Sequence, residues 1–218
     1  GVSIDRSGGE GQQITVRGFG PQFNTVLVNG RQQASEDPGR AFNFDTIAAE
    51  MVKTLDVHKT SSAKLQSGGI GSTINIETAK PFAISGFKLA GSVKGTFDGN
   101  SEETSPQASL LISNTFNDDT FGALLAVSYL ERETRLNRAQ SGGWRENSSF
   151  TRGTPMTQSG EVYQGNVFIP QNFDSLVTTE NRERTNANLV LQYAPSDNLI
   201  ITADALYSDF DVQSDTTS

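Results

Sequence analysis

Cysteine is absent and histidine occurs once, at His58, which removes several classes of site from consideration. A chain without cysteine has no disulfide framework, no thiolate nucleophile and no thiolate ligands for a metal. A Ser-His-Asp triad or a histidine-rich metal site would depend on His58 alone, and this residue lies beside Lys59 on the outer face of a predicted strand. We therefore expect a surface histidine, no bound metal and no cofactor.

Basic residues are also scarce. The chain has 17 lysines and arginines against 25 aspartates and glutamates, which gives a net charge of -8. A protein that binds nucleic acid has to neutralise phosphates with a basic surface, and this composition does not supply one. Nucleic acid is therefore not an expected partner.

Long hydrophobic runs are missing as well. Apolar residues make up 34% of the chain, and no stretch reaches the roughly 18 to 20 consecutive apolar residues of a membrane-spanning helix. Residues 1–13 hold no basic region followed by an apolar run, so we expect no signal peptide within them. The chain starts without methionine, in what reads as a loop, and we expect a fragment or a processed chain.

The first eighty residues alternate short β-branched segments with glycines and polar turns, which predicts a compact domain. Asn29-Gly30 is the strongest short-range signal for a β-hairpin, and the polar segment 31–40 reads as a loop. A short helix at 46–51 and a single helical turn at 62–66 complete an α+β domain over residues 1–82. The predicted strands are 13–17, 24–28, 52–58 and 72–78.

From residue 85 onward the pattern changes to a strict period of two, with apolar and polar residues on opposite faces. Short turns alternate with longer connections, of which the loop at 137–181 is the longest. This order is typical of the strands of an antiparallel transmembrane β-barrel. A soluble sandwich or barrel with its apolar face inward gives the same alternation, so both interpretations of residues 83–218 stay open. The five alternating segments are 87–97, 108–115, 121–129, 186–193 and 199–208.

Two stretches resemble the plug domain of TonB-dependent outer-membrane receptors. ITVRGFGPQFNTVLVNGR, residues 14–31, is similar to the Arg-Gly strand and the Leu-Val-Asn-Gly-Arg hairpin of that family. Residues 44–82 resemble the segment that follows, with its Gly-Gly-x-Gly-x-Thr-x-Asn-Ile run and its Lys-Pro-Phe exit. Several motifs correctly spaced over seventy residues are far more specific than a lone glycine-rich loop. The matching residues that we single out are Arg17, Gly18, Asn29, Gly30, Arg31, Gly68, Gly69 and Gly71.

The resemblance implies a Gram-negative outer-membrane receptor in which a plug gates a barrel of about 22 strands. Its implied partners are the TonB energy-transducing protein of the periplasm and inner membrane, outer-membrane lipid, and a small-molecule ligand such as an oligosaccharide or a siderophore. The chain then corresponds to the C-terminal part of a plug and the first about five barrel strands, with the coupling box outside it. The resemblance also implies that Arg17 and Arg31 face the barrel wall, where carboxylates can pair with them; simple hydration of both is the alternative.

Other motifs have simpler explanations than catalysis. The glycines lie between strands and form no Gly-x-x-x-x-Gly-Lys-Ser/Thr motif, which favours turn geometry over a phosphate cradle. Glu102-Glu103 lies in a loop, and Glu131 and Glu133 lie at a strand end without an apolar pocket to raise a carboxyl pKa. We therefore predict solvated charge at these positions and transport without enzyme activity.

The long loop is rich in aromatic residues set among amides, hydroxyls and glycines. Aromatic rings stack on sugars or on flat siderophores while the polar groups donate and accept hydrogen bonds, so the loop is a candidate for extracellular ligand contact. A loop that packs on itself is an equal alternative. The lack of a basic surface favours a carbohydrate over an anionic siderophore, and a soluble β-rich carbohydrate-binding or adhesion module is the alternative function. The aromatic residues are Trp144, Phe150, Tyr163, Phe168 and Phe173.

Overall fold

The computed structural model describes residues 1–7, 10–33, 39–84, 86–146, 159–161 and 168–218. Strands within residues 1–82, the N-terminal domain, form two small sheets, and five strands between residues 88 and 217 form a larger antiparallel sheet. The N-terminal domain packs on one face of that sheet. In chain order its strands are β1 (Val2–Ser7), β2 (Glu10–Val16), β3 (Asn24–Val28), β4 (Arg31–Gln32), β5 (Val52–His58) and β6 (Ser72–Thr78).

The N-terminal domain holds its apolar core between a two-stranded and a four-stranded sheet. β1 pairs with β2, and the other four strands follow the order β4-β3-β6-β5, in which β3 and β6 run parallel. A parallel pair needs a long crossover connection, and the chain between 29 and 71 supplies it. The buried side chains of this core are Ile14, Val16, Val26, Val28, Ile74 and Ile76.

The predicted strands at 24–28, 52–58 and 72–78 are confirmed with the same bounds. Of the strand predicted at 13–17, residues 13–16 belong to β2, whereas Arg17 lies in the turn that follows. The N-terminal loop prediction is wrong, because residues 2–7 form β1 opposite β2. The helix predicted at 46–51 is also wrong. Two 3₁₀ turns, Phe44–Thr46 and Ala49–Met51, occupy this segment.

The described residues therefore contain 3₁₀ turns but no α-helix, and the predicted α+β character is not confirmed. A six-residue segment cannot offset the cost of helix nucleation by itself. Burial of Ala48 and Met51 against the large sheet decides its shape instead. The single turn predicted at 62–66 is present, with the Leu65 amide donating to the Ser62 carbonyl oxygen at 3.0 Å.

Two kinds of glycine shape the N-terminal domain. At the β3–β4 turn, Asn29 and Gly30 both have positive φ, 51° and 77°, as a two-residue type I′ hairpin requires. At Gly69 and Gly71 the reason is space. A Cβ at Gly69 would overlap the Ser72 carbonyl oxygen and lie 3.1 Å from the Thr25 amide nitrogen, and one at Gly71 would lie 2.6 Å from Asn24 Oδ1.

The remaining strands in chain order are β7 (Lys88–Asp98), β8 (Glu103–Phe116), β9 (Phe121–Gln140), β10 (Trp144–Glu146), β11 (Phe168–Pro170), β12 (Asp174–Ser196) and β13 (Leu199–Thr217). The large sheet is an antiparallel meander with the order β7-β8-β9-β12-β13. β10 pairs with β11 in a separate two-stranded sheet, which lies in the connection between β9 and β12. We call this end of the large sheet the loop end.

The five alternating segments of the sequence each lie largely within one strand of this sheet, but three strands continue far beyond them. Residues 137–140 belong to β9 and residues 174–181 belong to β12, so the loop predicted at 137–181 is shorter. Asp174 pairs with Gln140 and the ladder then runs without a break. The sequence hides this extension because both faces are polar there, and alternation of apolar and polar residues is lost.

The large sheet exposes its apolar face, and its polar face is covered. The face that carries Leu110, Leu125 and Leu189 points away from the N-terminal domain and leaves these side chains 42%, 44% and 44% exposed. The opposite face is polar, and the N-terminal domain covers it; Asn186, Asn188 and Gln192 are buried there. Among the residues that the structure describes, no helix has the length and apolar character needed to cross a membrane.

We predict that Gly69→Ala lowers the free energy of unfolding of the N-terminal domain by about 2 to 3 kcal/mol, because main-chain atoms cannot yield to the new methyl group. Denaturant unfolding followed by circular dichroism measures the change. Gly99→Ala is the matched control, since a Cβ there meets nothing within 4 Å. Equal stability of the two variants would contradict the role assigned to Gly69.

Candidate functional site: the interface between the N-terminal domain and the large sheet

The polar face of the large sheet binds main-chain groups of the N-terminal domain. Asn186 on β12 is 1% exposed, and its Nδ2 donates to the Thr46 carbonyl oxygen at 3.0 Å and to Ser208 Oγ at 3.0 Å. Ser208 Oγ donates to the same Thr46 oxygen at 2.9 Å. One carbonyl at the end of a 3₁₀ turn therefore receives two donors from adjacent strands.

Glu50 forms the second connection, from the other 3₁₀ turn to β7 and β8. Its Oε1 accepts from Lys94 Nζ at 3.0 Å and from Gln107 Nε2 at 2.7 Å. Burial alone raises the pKa of the Glu50 carboxyl. Hydrogen bonds from its own backbone and from Lys94, with the charges of Lys94 and Arg184, outweigh burial and leave the pKa below its ordinary value.

The two arginines of the sequence motifs have different roles. Arg31 Nη2 pairs with Oδ1 of Asp204 on β13 of the large sheet. Arg17 has φ of 54° beside Gly18 at 81°, and its guanidinium donates to the carbonyl oxygens of Lys59 and Gly71. In the described structure Arg17 therefore ties three segments of its own domain together and contacts no wall carboxylate.

The segment that connects the N-terminal domain to the large sheet packs against a glycine. Pro81 is fully buried, and Gly122 on β9 leaves room for it: a Cβ at Gly122 would lie 2.9 Å from Pro81 Cβ and 2.9 Å from Phe82 Cε1. The Phe82 amide donates to Gln192 Oε1 at 3.0 Å, and Gln192 Nε2 donates to Thr202 Oγ1 at 3.1 Å. The chain thus enters the sheet with its main-chain donor satisfied.

Apolar contact across the interface is small. One cluster unites two residues of the N-terminal domain with three of the sheet, and Leu206 of β13 packs against both this cluster and the domain core. Most of the described interface is instead polar. The cluster consists of Ala48, Met51, Leu124, Ala126 and Val190.

The remaining motif residues hold the N-terminal domain in shape. Asn29 Oδ1 accepts from the Thr78 amide at 3.0 Å, and the Gly30 amide donates to Asn75 Oδ1 at 2.9 Å, so the hairpin turn is fixed to β6. Gly68, with φ of 125°, leads into the close approach at Gly69 and Gly71. These glycines therefore serve backbone geometry.

The aromatic residues of the long loop lie apart from these contacts. Trp144, Phe168 and Phe173 are 65%, 62% and 73% exposed. Trp144 pairs with Pro170, and Glu146 pairs with Phe168, so the first two aromatic rings belong to one small strand pair. Phe150 and Tyr163 lie outside the described residues.

No catalytic constellation accompanies this interface in the described part of the chain. Glu131 accepts a hydrogen bond from the hydroxyl of Tyr129 at 3.3 Å, and both residues lie on the open outer face of β9. His58 is exposed at the end of β5. Within the described ranges, no group of three or more acidic or histidine side chains is arranged to hold a metal ion.

Sequence reasoning missed Glu50, Gln107, Asn186 and Gln192, which carry the interface. The available signal was the amide residues at alternate positions of β12, where Asn186, Asn188 and Gln192 share one face. On a solvent-exposed strand such residues have no special meaning. Their burial under a second domain gives them one, because buried amides require partners.

The lowered pKa of Glu50 predicts a pH dependence of docking. The Glu50 carboxylate stabilises the contact between the N-terminal domain and the large sheet. This stabilisation is complete above the ordinary glutamate pKa of about 4.3 and is lost as the pH falls through the lower pKa of Glu50 in the folded protein. We expect hydrogen-exchange protection of residues 46–52, corrected for intrinsic rates, to fall over this range. In Glu50→Gln the acid-dependent loss should disappear; an unchanged loss would exclude Glu50 as its source.

The comparison with protein families agrees with the architecture. The model of a family described as the TonB-dependent Receptor Plug Domain matches residues 1–73. That range contains β1 to β5, the start of β6 and both 3₁₀ turns that touch the large sheet. A comparison with curated protein sequences finds no match. Residues 1–73 are therefore a plug domain of the TonB-dependent receptor type, and this match supports a fragment of such a receptor.

Proposed function

We propose that this chain forms the plug and the adjoining wall of an outer-membrane receptor that takes up a bulky solute with energy from TonB. The observation that carries the proposal is the orientation of the two faces of the large sheet. Its polar face holds the plug, and its apolar face points outward. A soluble sheet buries its apolar face, whereas a barrel wall in lipid exposes it.

The outer face has the dimensions expected of a membrane-spanning wall. Along β9 the apolar positions extend from Phe121 to Tyr129, nine residues that match the roughly 9 to 11 of a transmembrane strand. Aromatic residues lie at both ends of this apolar band, as they do at the two membrane–water interfaces of outer-membrane barrels. Phe116, Phe121 and Tyr193 form the row beside the short turns, and Tyr129 and Tyr207 lie toward the loop end.

We further propose that the plug domain extends to residue 82 and that the wall begins after it. β6 continues to Thr78, and the buried Pro81 ends the connection. The plug acts as a gate in the lumen, and a periplasmic transducer pulls on it. TonB is the partner that the plug family implies.

The chemistry of the interface suits a gate that moves without unfolding. Its described contacts are chiefly hydrogen bonds and ion pairs such as those of Thr46, Glu50 and Arg31. Water can replace hydrogen bonds of this kind at small net cost, since each contributes only about 0.5 to 1.5 kcal/mol. The apolar cluster is small, so little hydrophobic area opposes displacement of the plug.

For the solute we prefer a carbohydrate and place a siderophore second. Exposed Trp144, Phe168 and Phe173 offer aromatic faces at the loop end, where a sugar ring can stack. The net charge of -8 does not favour a ferric complex that is itself anionic. A soluble carbohydrate-binding or adhesion module is the second candidate, but it requires the apolar face of the sheet to be covered.

Leu125→Arg tests whether the outer face lies in lipid. Leu125 is 44% exposed near the middle of the apolar band, so we expect the arginine to weaken membrane assembly by about 2 to 4 kcal/mol. Ala90→Arg is the matched control, because Ala90 lies at nearly the same height but on the polar face. Heat-modifiable mobility in detergent gels reports assembly. Equal assembly of both variants would favour the soluble module.

Uptake by cells tests the transport function directly. We expect cells that produce the receptor to accumulate a fluorescent neutral oligosaccharide, and accumulation to fall to background when TonB is deleted. A ferric siderophore is measured in parallel. Accumulation of the siderophore alone would overturn the carbohydrate preference, and uptake that does not depend on TonB would overturn the proposed mechanism.

A further inference from the structure

The outer face of the large sheet, which points away from the N-terminal domain, carries a groove toward the loop end of its apolar band. The groove has a volume of about 490 Å³ and extends over β7, β8, β9 and β12. Gly91 and Ala108 contribute little side-chain bulk, which leaves room above the main chain between larger neighbours. We call it the outer groove. The larger apolar and aromatic side chains that line it are Val93, Leu110, Val127 and Tyr129.

The outer groove has the size of a small-ligand site and not of a protein interface. Pockets for small ligands measure about 300 to 1,000 Å³, and the groove lies within this range. Ten residues line it, fewer than the roughly 20 to 30 that each partner contributes to a stable protein interface. On a face that lies in lipid, the molecule of this size that is at hand is a lipid.

Close packing makes the outer groove different from the rest of the apolar face. Burial of apolar surface gives no gain between molecules that are already in lipid, so van der Waals packing and polar contacts decide which ones stay together. Small residues such as Gly91 and Ala108 let an acyl chain approach the main chain of the sheet closely. A chain in the groove therefore makes more contacts than one that lies on the neighbouring surface.

A row of three carboxylates crosses the outer face just beyond the groove, toward the loop end. Glu131 of β9 pairs with Glu183 of β12, and Glu183 pairs with Asp211 of β13. Glu131 lies two residues beyond Tyr129, about 7 Å along the strand, and accepts a hydrogen bond from its hydroxyl at 3.3 Å. Like charges that are directly opposite in a strand pair repel each other. A cation beside this acidic row removes the repulsion.

The acidic row selects among lipid headgroups. Tyr129 lies at the loop end of the apolar band, the depth at which headgroups begin, so a lipid with its chain in the groove has its headgroup beside Glu131 and Glu183. Among the described residues that line the groove there is no lysine or arginine to attract an anionic headgroup. An ammonium group has three donors for carboxylate oxygens. Thr185 also lines the groove, opposite Tyr129, and its hydroxyl can donate to an ester or phosphate oxygen.

We propose that the outer groove holds an acyl chain of a phospholipid whose headgroup carries an ammonium group, and that Glu131 and Glu183 bind this ammonium group. The inference rests on the proposed function in one respect, that the outer face lies in lipid. It does not depend on the solute or on movement of the plug. The groove supplies the apolar part of the site, and the acidic row supplies its selectivity for one class of headgroup.

Native mass spectrometry of the detergent-purified protein tests the headgroup. Dioleoyl phosphatidylethanolamine and dioleoyl phosphatidylglycerol, which have identical chains, are offered at equal concentration. We expect about tenfold more retention of phosphatidylethanolamine, because hydrogen bonds between an ammonium group and carboxylates are strong. In the double variant Glu131→Gln, Glu183→Gln this preference should disappear. Asp215→Asn is the matched control and should keep it, since Asp215 pairs with Thr179 on the same face, farther from the groove.

A filled groove tests the position of the chain. Ala108→Leu places an apolar side chain in the groove, so we expect retention of both lipids to fall about five- to tenfold while the preference between them persists. Ala205→Leu is the matched control, because Ala205 pairs with Leu189 on the same face but outside the groove. Its retention of both lipids should equal that of the unaltered protein. Heat-modifiable mobility verifies that every variant is assembled.

The outcomes separate the lipid site from the receptor function. Equal retention of the two lipids by the unaltered protein, an unchanged preference in the double variant, or equal losses in Ala108→Leu and Ala205→Leu each overturn the proposal. A co-purified polypeptide that the double variant loses, without any retained lipid, overturns the assignment to a lipid. If the lipid site fails while uptake still depends on TonB, the receptor function stands. An outer face outside lipid is detected separately, by Leu125→Arg.

Discussion

The polar face of the large sheet is the constraint on which the rest of the structure depends. Asn186 and Gln192 are almost fully buried there, and a buried amide without partners costs about 1 to 3 kcal/mol. The N-terminal domain supplies main-chain partners for Asn186 Nδ2, the Thr46 carbonyl, and for Gln192 Oε1, the Phe82 amide, while Asn186 Oδ1 has no partner in the described structure. These two contacts fix where the plug lies and where the chain enters the sheet.

Docking by directional polar contacts has a functional consequence. Hydrophobic interfaces resist separation in proportion to their buried area, whereas hydrogen bonds exchange with water at low net cost. In the described residues the N-terminal domain contacts the large sheet mainly through hydrogen bonds and ion pairs, with one small apolar cluster around Met51. Contacts of this kind fix the position of the domain and still exchange with water, which is consistent with the gate proposed above.

Individual residues show how far the sequence could lead. Asn29-Gly30 demanded a hairpin by its backbone preferences, and the hairpin is present. The segment 46–51 did not become a helix, because contacts of Ala48 and Met51 with the sheet outweigh weak local preference. The ends of β9 and β12 at residues 137–140 and 174–181 fall within the predicted loop, because inter-strand pairing rather than apolar alternation maintains them.

Local geometry was thus determined by the sequence itself. Glycines at tight turns and strict alternation along strands constrain the backbone through atoms that are close together in the sequence, so the sequence alone reveals them. Tertiary structure alone decided which face of the large sheet would be covered, that Glu50 would meet Lys94 and Gln107, and that Gln33 and Phe42 would border β13. These residues are far apart in the chain, and their roles depend on burial and partners that exist only after the two parts have packed together.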